Sequence, residues 1–312
     1  GGKKTDLSWE SISGFNVPPG TVFNEKEIKP ETLAVIIFTS GTTGLSKGVM
    51  LSHGGILSNV NASLKAFEVL PGDNLIVVLP LHHSYPTTQS FLSPLMAGAS
   101  ITMAEKLIGA KIIANILETG GTQIVAVPLL FDKIKKAVEA GFSAQRLPKR
   151  IALKLMLAVS GFMTFFLNIP AGKLLFSHVR KKAGIGTIKF MVSGGGPLSK
   201  ETADFFDIIG CSLVQGYGLS ENSPVVTCNT VKYHRNESIG FPVKGTEVRI
   251  AVSADQDLPA RDQNGVGEIQ VKSPSLMLGY YKNPEATGEA FTEDGWLKTG
   301  DLGKIRGGYI YL

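Results

Sequence analysis

The sequence predicts an α/β protein: a mostly parallel, doubly wound sheet with flanking helices, followed by a smaller β-rich subdomain. Three observations predict it. From Leu33 to about Val231, short apolar runs alternate with longer helical stretches, as in strands joined by crossover helices. Several runs end in turns of glycine and hydroxyl residues, at Thr39, Ser193 and Gly216, where such sheets place their ligand loops. After Tyr233, glycine and proline punctuate short alternating runs, the texture of antiparallel strands. The expected division is 1–232 for the α/β part and 233–312 for the β-rich part.

The elements follow in order. Residues 33–38 are apolar and β-branched and read as a buried strand. Ser52 reads as the cap of a helix over 54–69. A strand over 74–79, a helix over 87–96 and a short strand over 100–103 come next. A helix over 110–117 precedes a strand over 123–127, which runs into a helix over 131–140. Further on lie a strand at 188–192, a helix at 200–208 and a strand at 213–215. In the last part 247–252 and 268–272 alternate with period two, and 308–312 ends strand-like. Between them, about 131–187 reads as a basic, apolar helical insertion. Within it, 151–169 approaches the length of a membrane span. Lys154, Ser160, Gly161, Thr164 and Asn168 break it, and a crossing would tear the sheet in half. It reads instead as a buried or interfacial helix, with a plain helical hairpin as the alternative.

Composition narrows the function classes. An apolar content of 43% and a charged content of 18% over 312 residues describe an ordered chain with room for more than one core. Cys211 and Cys228 offer neither a disulfide framework nor metal-ligand spacing, so a reducing compartment is expected. No secretory leader is read at Gly1-Gly2-Lys3-Lys4, and the expected location is cytoplasmic, peripheral at a membrane. The net charge of +5 is uneven. Twelve Lys and Arg between Lys133 and Lys189 face only Asp132 and Glu139, so an anionic surface is the expected partner. The bases are not interleaved with aromatics, so that surface is not expected to be nucleic acid.

Five segments carry candidate chemistry. The loop Phe38-Thr39-Ser40-Gly41-Thr42-Thr43-Gly44-Leu45-Ser46-Lys47-Gly48 joins glycines, which let backbone N–H groups approach a ligand, to hydroxyl donors and a lysine. That combination makes a polyphosphate cradle, although glycine- and threonine-rich turns also serve as plain connectors. It is not a Walker A loop, because Leu45-Ser46 separates Gly44 from Lys47 and Gly48 follows the lysine. Magnesium would therefore need a ligand elsewhere. In Ser193-Gly194-Gly195-Gly196-Pro197-Leu198 the glycines leave room for a flat ring against the backbone. In Gln215-Gly216-Tyr217-Gly218-Leu219-Ser220-Glu221-Asn222, Tyr217 offers a stacking face and Glu221 a hard oxygen for magnesium. Pro80-Leu81-His82-His83-Ser84-Tyr85 brings histidines that can donate to developing negative charge; a histidine satisfied by local backbone is the plainer reading. In Asp294-Gly295-Trp296-Leu297-Lys298-Thr299-Gly300-Asp301, Asp301 can accept from paired ribose hydroxyls or simply form a turn.

Together, from about Thr32 onward, these segments resemble in order and spacing the signatures of the AMP-forming acyl-adenylate synthetases. That superfamily holds the acyl-CoA synthetases, the firefly-type luciferases and the adenylation domains of peptide synthetases. Two departures are mild: Ser46 stands where the family has Pro, and Ser220 where it has Thr. The resemblance implies attack of a carboxylate on the α-phosphorus of ATP, loss of pyrophosphate, then transfer of the acyl group to a thiol, coenzyme A. It implies that Thr39, Ser40, Gly41, Thr42, Thr43, Gly44 and Lys47 hold the phosphates, and that Gly194, Gly195 and Gly196 line the adenine. It further implies nucleotide contacts from Gln215, Gly216, Tyr217, Gly218 and Ser220, Mg2+ on Glu221, and ribose on Asp301. His83, Lys47 and Glu221 are the expected catalytic residues, with His83 at the mouth of the acyl pocket and His53 structural. The insertion resembles that of long-chain fatty acyl-CoA synthetases, which implies a fatty acid substrate and peripheral membrane contact. The family's N-terminal start and C-terminal domain are not matched, so weak ATP binding and poor turnover are expected of this chain. A ligase for aromatic or amino acids and a non-catalytic membrane-binding module are the alternatives. Acyl chain length, thiol acceptor and oligomeric state are not set by these residues.

Overall fold

A computed structural model describes residues 28–40, 46–105, 108–251 and 265–312. Its first two strands correct the sequence reading. β1 (Leu33–Ser40) does not enter the parallel sheet but pairs antiparallel with β2 (Ser46–Ser52), a strand the sequence did not announce. Nor is β1 a buried strand: Ile37 is buried, whereas Phe38 is 64% exposed. Its β-branched run satisfies a half-covered hairpin as well as a buried strand, and composition alone does not separate the two. Gly48 sits within β2 because a Cβ there would lie 3.0 Å from Ile36 Cγ2 and 3.2 Å from Tyr281 Cβ.

Ser52 caps α1 (His53–Ala66) as expected, its hydroxyl accepting from Gly55 N at 3.0 Å. The central sheet then assembles from β3 (Asn74–Val77), β4 (Ser100–Met103), β5 (Gln123–Ala126), β6 (Phe190–Ser193) and β7 (Ser212–Gly218), in the parallel order β4-β3-β5-β6-β7. The antiparallel β8 (Val225–Cys228) and β9 (Phe241–Pro242) extend it beyond β7. β7 runs three residues further than the strand expected there, so Gly216, Tyr217 and Gly218 lie in the strand itself.

Alternate residues of the parallel strands feed two cores. Ile76, Ile124, Met191 and Leu213 point to one face, against α2 (Gly109–Thr119), α3 (Pro128–Ser143), α4 (Leu147–Phe166) and α5 (Lys200–Ile208). Leu75, Val125, Phe190, Val192 and Val214 point to the other, against Ala62, Phe67 and Tyr85. Burial on both faces explains why these strands are continuous apolar runs rather than alternating ones. At the amino ends of the strands, buried Asp73 ties the layers together. It accepts from Leu70 N at 2.9 Å, Thr122 Oγ1 at 2.9 Å, Gln123 Nε2 at 3.0 Å and Lys189 Nζ at 2.5 Å.

The β-rich part is a four-stranded antiparallel sheet of β10 (Glu247–Ala251), β11 (Gly267–Lys272), β13 (Leu297–Arg306) and β14 (Tyr309–Tyr311), in that order. β12 (Gly279–Tyr280) leaves it and pairs with β2 through Met50 and Val49, and α6 (Pro284–Ala290) follows. This excursion carries residues from late in the chain to the hairpin of β1 and β2.

Candidate active site

A cavity of about 350 Å3 opens at the carboxyl ends of β6 and β7, of a size suited to a small molecule. Gly194 and Gly195 form one wall, and Gly216, Tyr217, Gly218, Leu219 and Ser220 another. The third comes from the turn before a helical run over Ser84–Pro86, Thr87–Leu92 and Ser93–Ala97, and includes His83, Tyr85 and Gln89. The middle piece of this run is π-helical, a widened turn common beside functional sites.

Close approach explains two of the glycines. A Cβ on Gly194 would lie 2.6 Å from Tyr85 Cζ, and one on Gly218 would lie 2.2 Å from Pro224 O. The tyrosine ring therefore packs directly on the backbone at the end of β6. The carboxyl-end hydroxyl of the same strand, Ser193 Oγ, is buried and has no partner.

Asp301 lies one hydrogen bond, and Glu221 one neighbour, from the cavity wall, and Lys47 approaches Glu221 through a shared tyrosine. Tyr217 donates to Asp301 Oδ2 at 2.6 Å, which joins β7 to β13 across the edge of the β-rich sheet. Burial, then the Asp301 carboxylate, raises the Tyr217 phenol well above its ordinary value, so it stays a donor. Glu221 follows Ser220 and accepts from the Tyr280 hydroxyl through Oε1 at 2.9 Å. Lys47 Nζ lies 4.9 Å from the centroid of the same Tyr280 ring. One tyrosine thus brings a cation and a carboxylate from distant segments to a shared place. Backbone bonds from Met277 N to Glu221 O, Leu278 N to Met50 O and Tyr281 N to Gly48 O, all 2.7–2.8 Å, lace the three strands of approach.

Thr39 and Lys47 are register partners at the loop end of the β1–β2 hairpin, as are Ser40 and Ser46. Gly41, Thr42, Thr43 and Gly44 lie outside the described residues. Gly196 and Gln215 sit beside the cavity without entering its wall, and Gln215 O accepts from Asn229 N at 2.9 Å. His83 precedes the helical run and lines the cavity; the His82 ring lies 4.2 Å away on the solvent side. His53 opens α1, its N–H bonded to Thr32 O at 3.0 Å, a structural position.

The sequence motifs assign no role to Tyr280, Ser84, Tyr85 or Gln89. Ser84 Oγ lies 3.1 Å from Ser220 Oγ and ties the histidine turn to the Tyr217–Glu221 segment. Adjacency to His83 was the available signal for Ser84 and Tyr85; nothing local marks Tyr280, whose role depends on the pairing of β12 with β2.

The donor set suits acid activation without covalent catalysis by a thiol. Cys228 lines the cavity, but burial pushes its thiol up to about 12, which keeps it protonated. Among the described residues, no three acidic, His or Cys side chains cluster as a metal cage. Glu221 nevertheless fits magnesium. That ion takes one or two carboxylates and completes its shell with water and substrate phosphates, and Glu221 keeps Oε2 clear of the Tyr280 bond.

Comparison with known proteins identifies the family. The family model for the AMP-binding enzymes matches residues 3–281. Long chain acyl-CoA synthetase 7, peroxisomal, of Arabidopsis thaliana is 32% identical over 282 residues, covering 88% of this chain and 40% of that protein. A long-chain-fatty-acid–[acyl-carrier-protein] ligase of the same plant, chloroplastic, is 27% identical over 91% of this chain and 43% of its own length. The crystal structure of ATP-bound MatB from Rhodopseudomonas palustris superposes with a TM-score of 0.69 at 27% identity, over 91% of this chain and 48% of that one. The chain thus spans less than half the length of these relatives.

Proposed function

Because the chain belongs to the family of AMP-binding enzymes, we propose that it carries the nucleotide and acyl sites of an ATP-dependent acid–thiol ligase. The acid is a long-chain fatty acid and the acceptor thiol is coenzyme A. The observation that carries this reading is that Tyr217, in the cavity wall, holds Asp301, while Glu221, next after the wall residue Ser220, meets Lys47 at the Tyr280 ring.

Asp301 has a second carboxylate oxygen, Oδ1, for a ribose diol while Oδ2 holds Tyr217. Tyr217 and the Gly194–Gly195 backbone provide flat surfaces between which an adenine fits. Lys47 places positive charge beside the loop end of the hairpin, and Glu221 would hold Mg2+. Magnesium, when bound, neutralises charge on the phosphate oxygens. His83 stands at the cavity wall, where it can donate to oxygens that gain charge as the carboxylate attacks the α-phosphorus. Such a step asks for positioning and charge stabilisation, which this set of side chains can provide.

The cavity wall supports an apolar acyl group. Among the described residues it carries no Asp, Glu, Lys or Arg, and Phe67, Leu79, Val127, Val192 and Val225 are among its apolar lining. An amino acid would leave its ammonium without a partner there. Cytoplasmic location with peripheral membrane contact through the 131–187 segment belongs to the same reading, because long acyl chains partition into bilayers.

The test is pyrophosphate release with ATP and a panel of acids. Palmitate should support release better than acetate, benzoate or an amino acid. Preference for acetate or an amino acid would overturn the fatty-acid assignment, and loss of ATP-dependent thermal stabilisation of this chain would overturn the nucleotide site itself.

A further inference from the structure

Helix α4 has two faces of opposite character. Its inner face is locked to the body of the protein. Leu153, Met156 and Leu157 pack on the main core, and Ser160 Oγ donates to Ile208 O at 2.6 Å. The chain after it is anchored at the same place. A Cβ on Gly172 would meet Ile208 O at 2.1 Å, and the Arg180 guanidinium donates to Gly210 O at 3.0 Å and Lys173 O at 2.6 Å. The outer face is therefore held outward and cannot roll into the core.

That outer face is apolar from end to end. Ile151, Leu155, Phe162 and Phe166 recur at helical spacing and are 58%, 65%, 56% and 77% exposed, and Leu174 continues the patch at 81%. An exposed apolar stripe of this length marks a contact surface. Its charge identifies the occupant. Between Glu139 and Glu201 the chain carries ten Lys and Arg and no acidic residue. Lys149, Arg150 and Lys154 lie on α4 itself, and Lys181 and Lys182 on a short helix that follows in the chain. A protein groove would need only the apolar stripe; a bilayer bearing anionic lipid takes both, with acyl chains under the stripe and phosphates at the bases. No helix among the described residues is long and apolar enough to cross a membrane.

We propose that the outer face of α4 is a monotopic docking surface for an anionic lipid bilayer. The helix lies in the plane of the interface and does not span it. This deepens the membrane contact of the proposed function, but the surface stands on its own geometry and charge.

Flotation of the chain with vesicles tests it. The wild-type chain should float with phosphatidylcholine vesicles that contain phosphatidylglycerol, less so as salt rises, and poorly with phosphatidylcholine alone. Replacing Lys149, Arg150 and Lys154 by Gln should lower partition to the anionic vesicles by roughly 100-fold, about fivefold per base. A Leu155→Gln, Phe162→Gln, Phe166→Gln variant should lose flotation while keeping its melting temperature and its stabilisation by ATP. A wild-type chain that does not float overturns the proposal, as does an apolar variant that floats undiminished. So does an apolar variant whose main effect is to dissociate a dimer, since a second copy would then be the occupant. Palmitate-dependent pyrophosphate release from detergent micelles should be indifferent to these substitutions, so failure of the docking surface leaves the enzymatic reading intact, and the reverse.

Discussion

Replacing Asp301 by Ala gives the sharpest test of the nucleotide site. Among the described residues this carboxylate has one side-chain partner, the Tyr217 hydroxyl at 2.6 Å on Oδ2, which leaves Oδ1 for a ribose. A hydrogen bond to a charged group contributes about 1.5–3 kcal/mol, so its loss should raise the Kd for ATP by roughly 12- to 160-fold. At an ATP concentration of about 100 times the wild-type Kd, binding stabilises the folded chain by about 2.7 kcal/mol. The variant at the same concentration should retain only about 0.3–1.3 kcal/mol. With an unfolding entropy of roughly 2.1 cal/mol/K per residue over 312 residues, 1 kcal/mol moves Tm by about 1.5 °C. The ATP-induced shift should therefore fall from about 4 °C to between roughly 0.4 and 2 °C, read by differential scanning fluorimetry. Tyr217→Phe keeps the stacking face and frees the carboxylate, so its shift should stay near that of the wild type. If Asp301→Ala kept the full shift, the ribose assignment would be wrong, whatever the other site residues do.

Three further outcomes follow from other contacts. Gly194→Ala places a Cβ 2.6 Å from Tyr85 Cζ, so the ring must move into the cavity; we expect a stability loss of about 1–3 kcal/mol and weaker displacement of a fluorescent fatty acid, and unchanged displacement would remove Tyr85 from the acyl wall. Asp73→Asn should cost about 2 kcal/mol, or about 3 °C in Tm, by weakening the bonds that join Leu70, Thr122, Gln123 and Lys189. Burial pushes the Asp73 carboxyl up, but the bond from Lys189 and those from Leu70 N and Thr122 outweigh it and hold it below its ordinary 3.8. Its contribution is therefore complete above that value and fades as pH falls through the lower folded value, a loss of Tm in acid that Asp73→Asn should flatten. His234 behaves oppositely: its hydrogen bond to Asp207 raises it above 6.5, so its contribution is full below 6.5 and is lost as pH rises through the folded value. Tm measured across neutral pH should decline less steeply in His234→Gln, and identical slopes would rule the pair out as a titrating contact.

The parts of this architecture legible in the sequence are those set by local pattern. The inner parallel strands β3, β5 and β6 announced themselves because both faces are buried, so each reads as a largely apolar run. The cap at Ser52 and the helix over 200–208 were legible because a side chain and its N–H partner sit three residues apart. The glycines at 194 and 218 were legible as glycines, although the atoms that demand them, Tyr85 Cζ and Pro224 O, were not. β2 was not legible because its sequence, Ser46 to Ser52, carries a lysine and a glycine and shows its strand character only against partners on both sides.

The sequence motifs pointed to one shared site but not to the contacts that join its parts. Lys47 and Glu221 were each found from their own neighbours, yet their meeting depends on Tyr280 and on the register Tyr280↔Val49, more than 200 residues apart in the chain, while Asp301 is reached through Tyr217. Register between distant antiparallel strands is set by tertiary packing, here Val49, Leu51, Met277 and Leu297 in one small cluster, and leaves no periodic trace in either segment. A substitution in that cluster should therefore loosen the grip on ATP without touching any residue that meets it. Met277→Ala, which removes a buried side chain beside the bond from Met277 N to Glu221 O, is the variant to measure. It should lower the ATP-induced Tm shift as well as the Tm of the free chain. Loss of the second alone would mean that the hairpin and the Glu221 turn hold their places independently, and that the shared tyrosine does not set the geometry of the site.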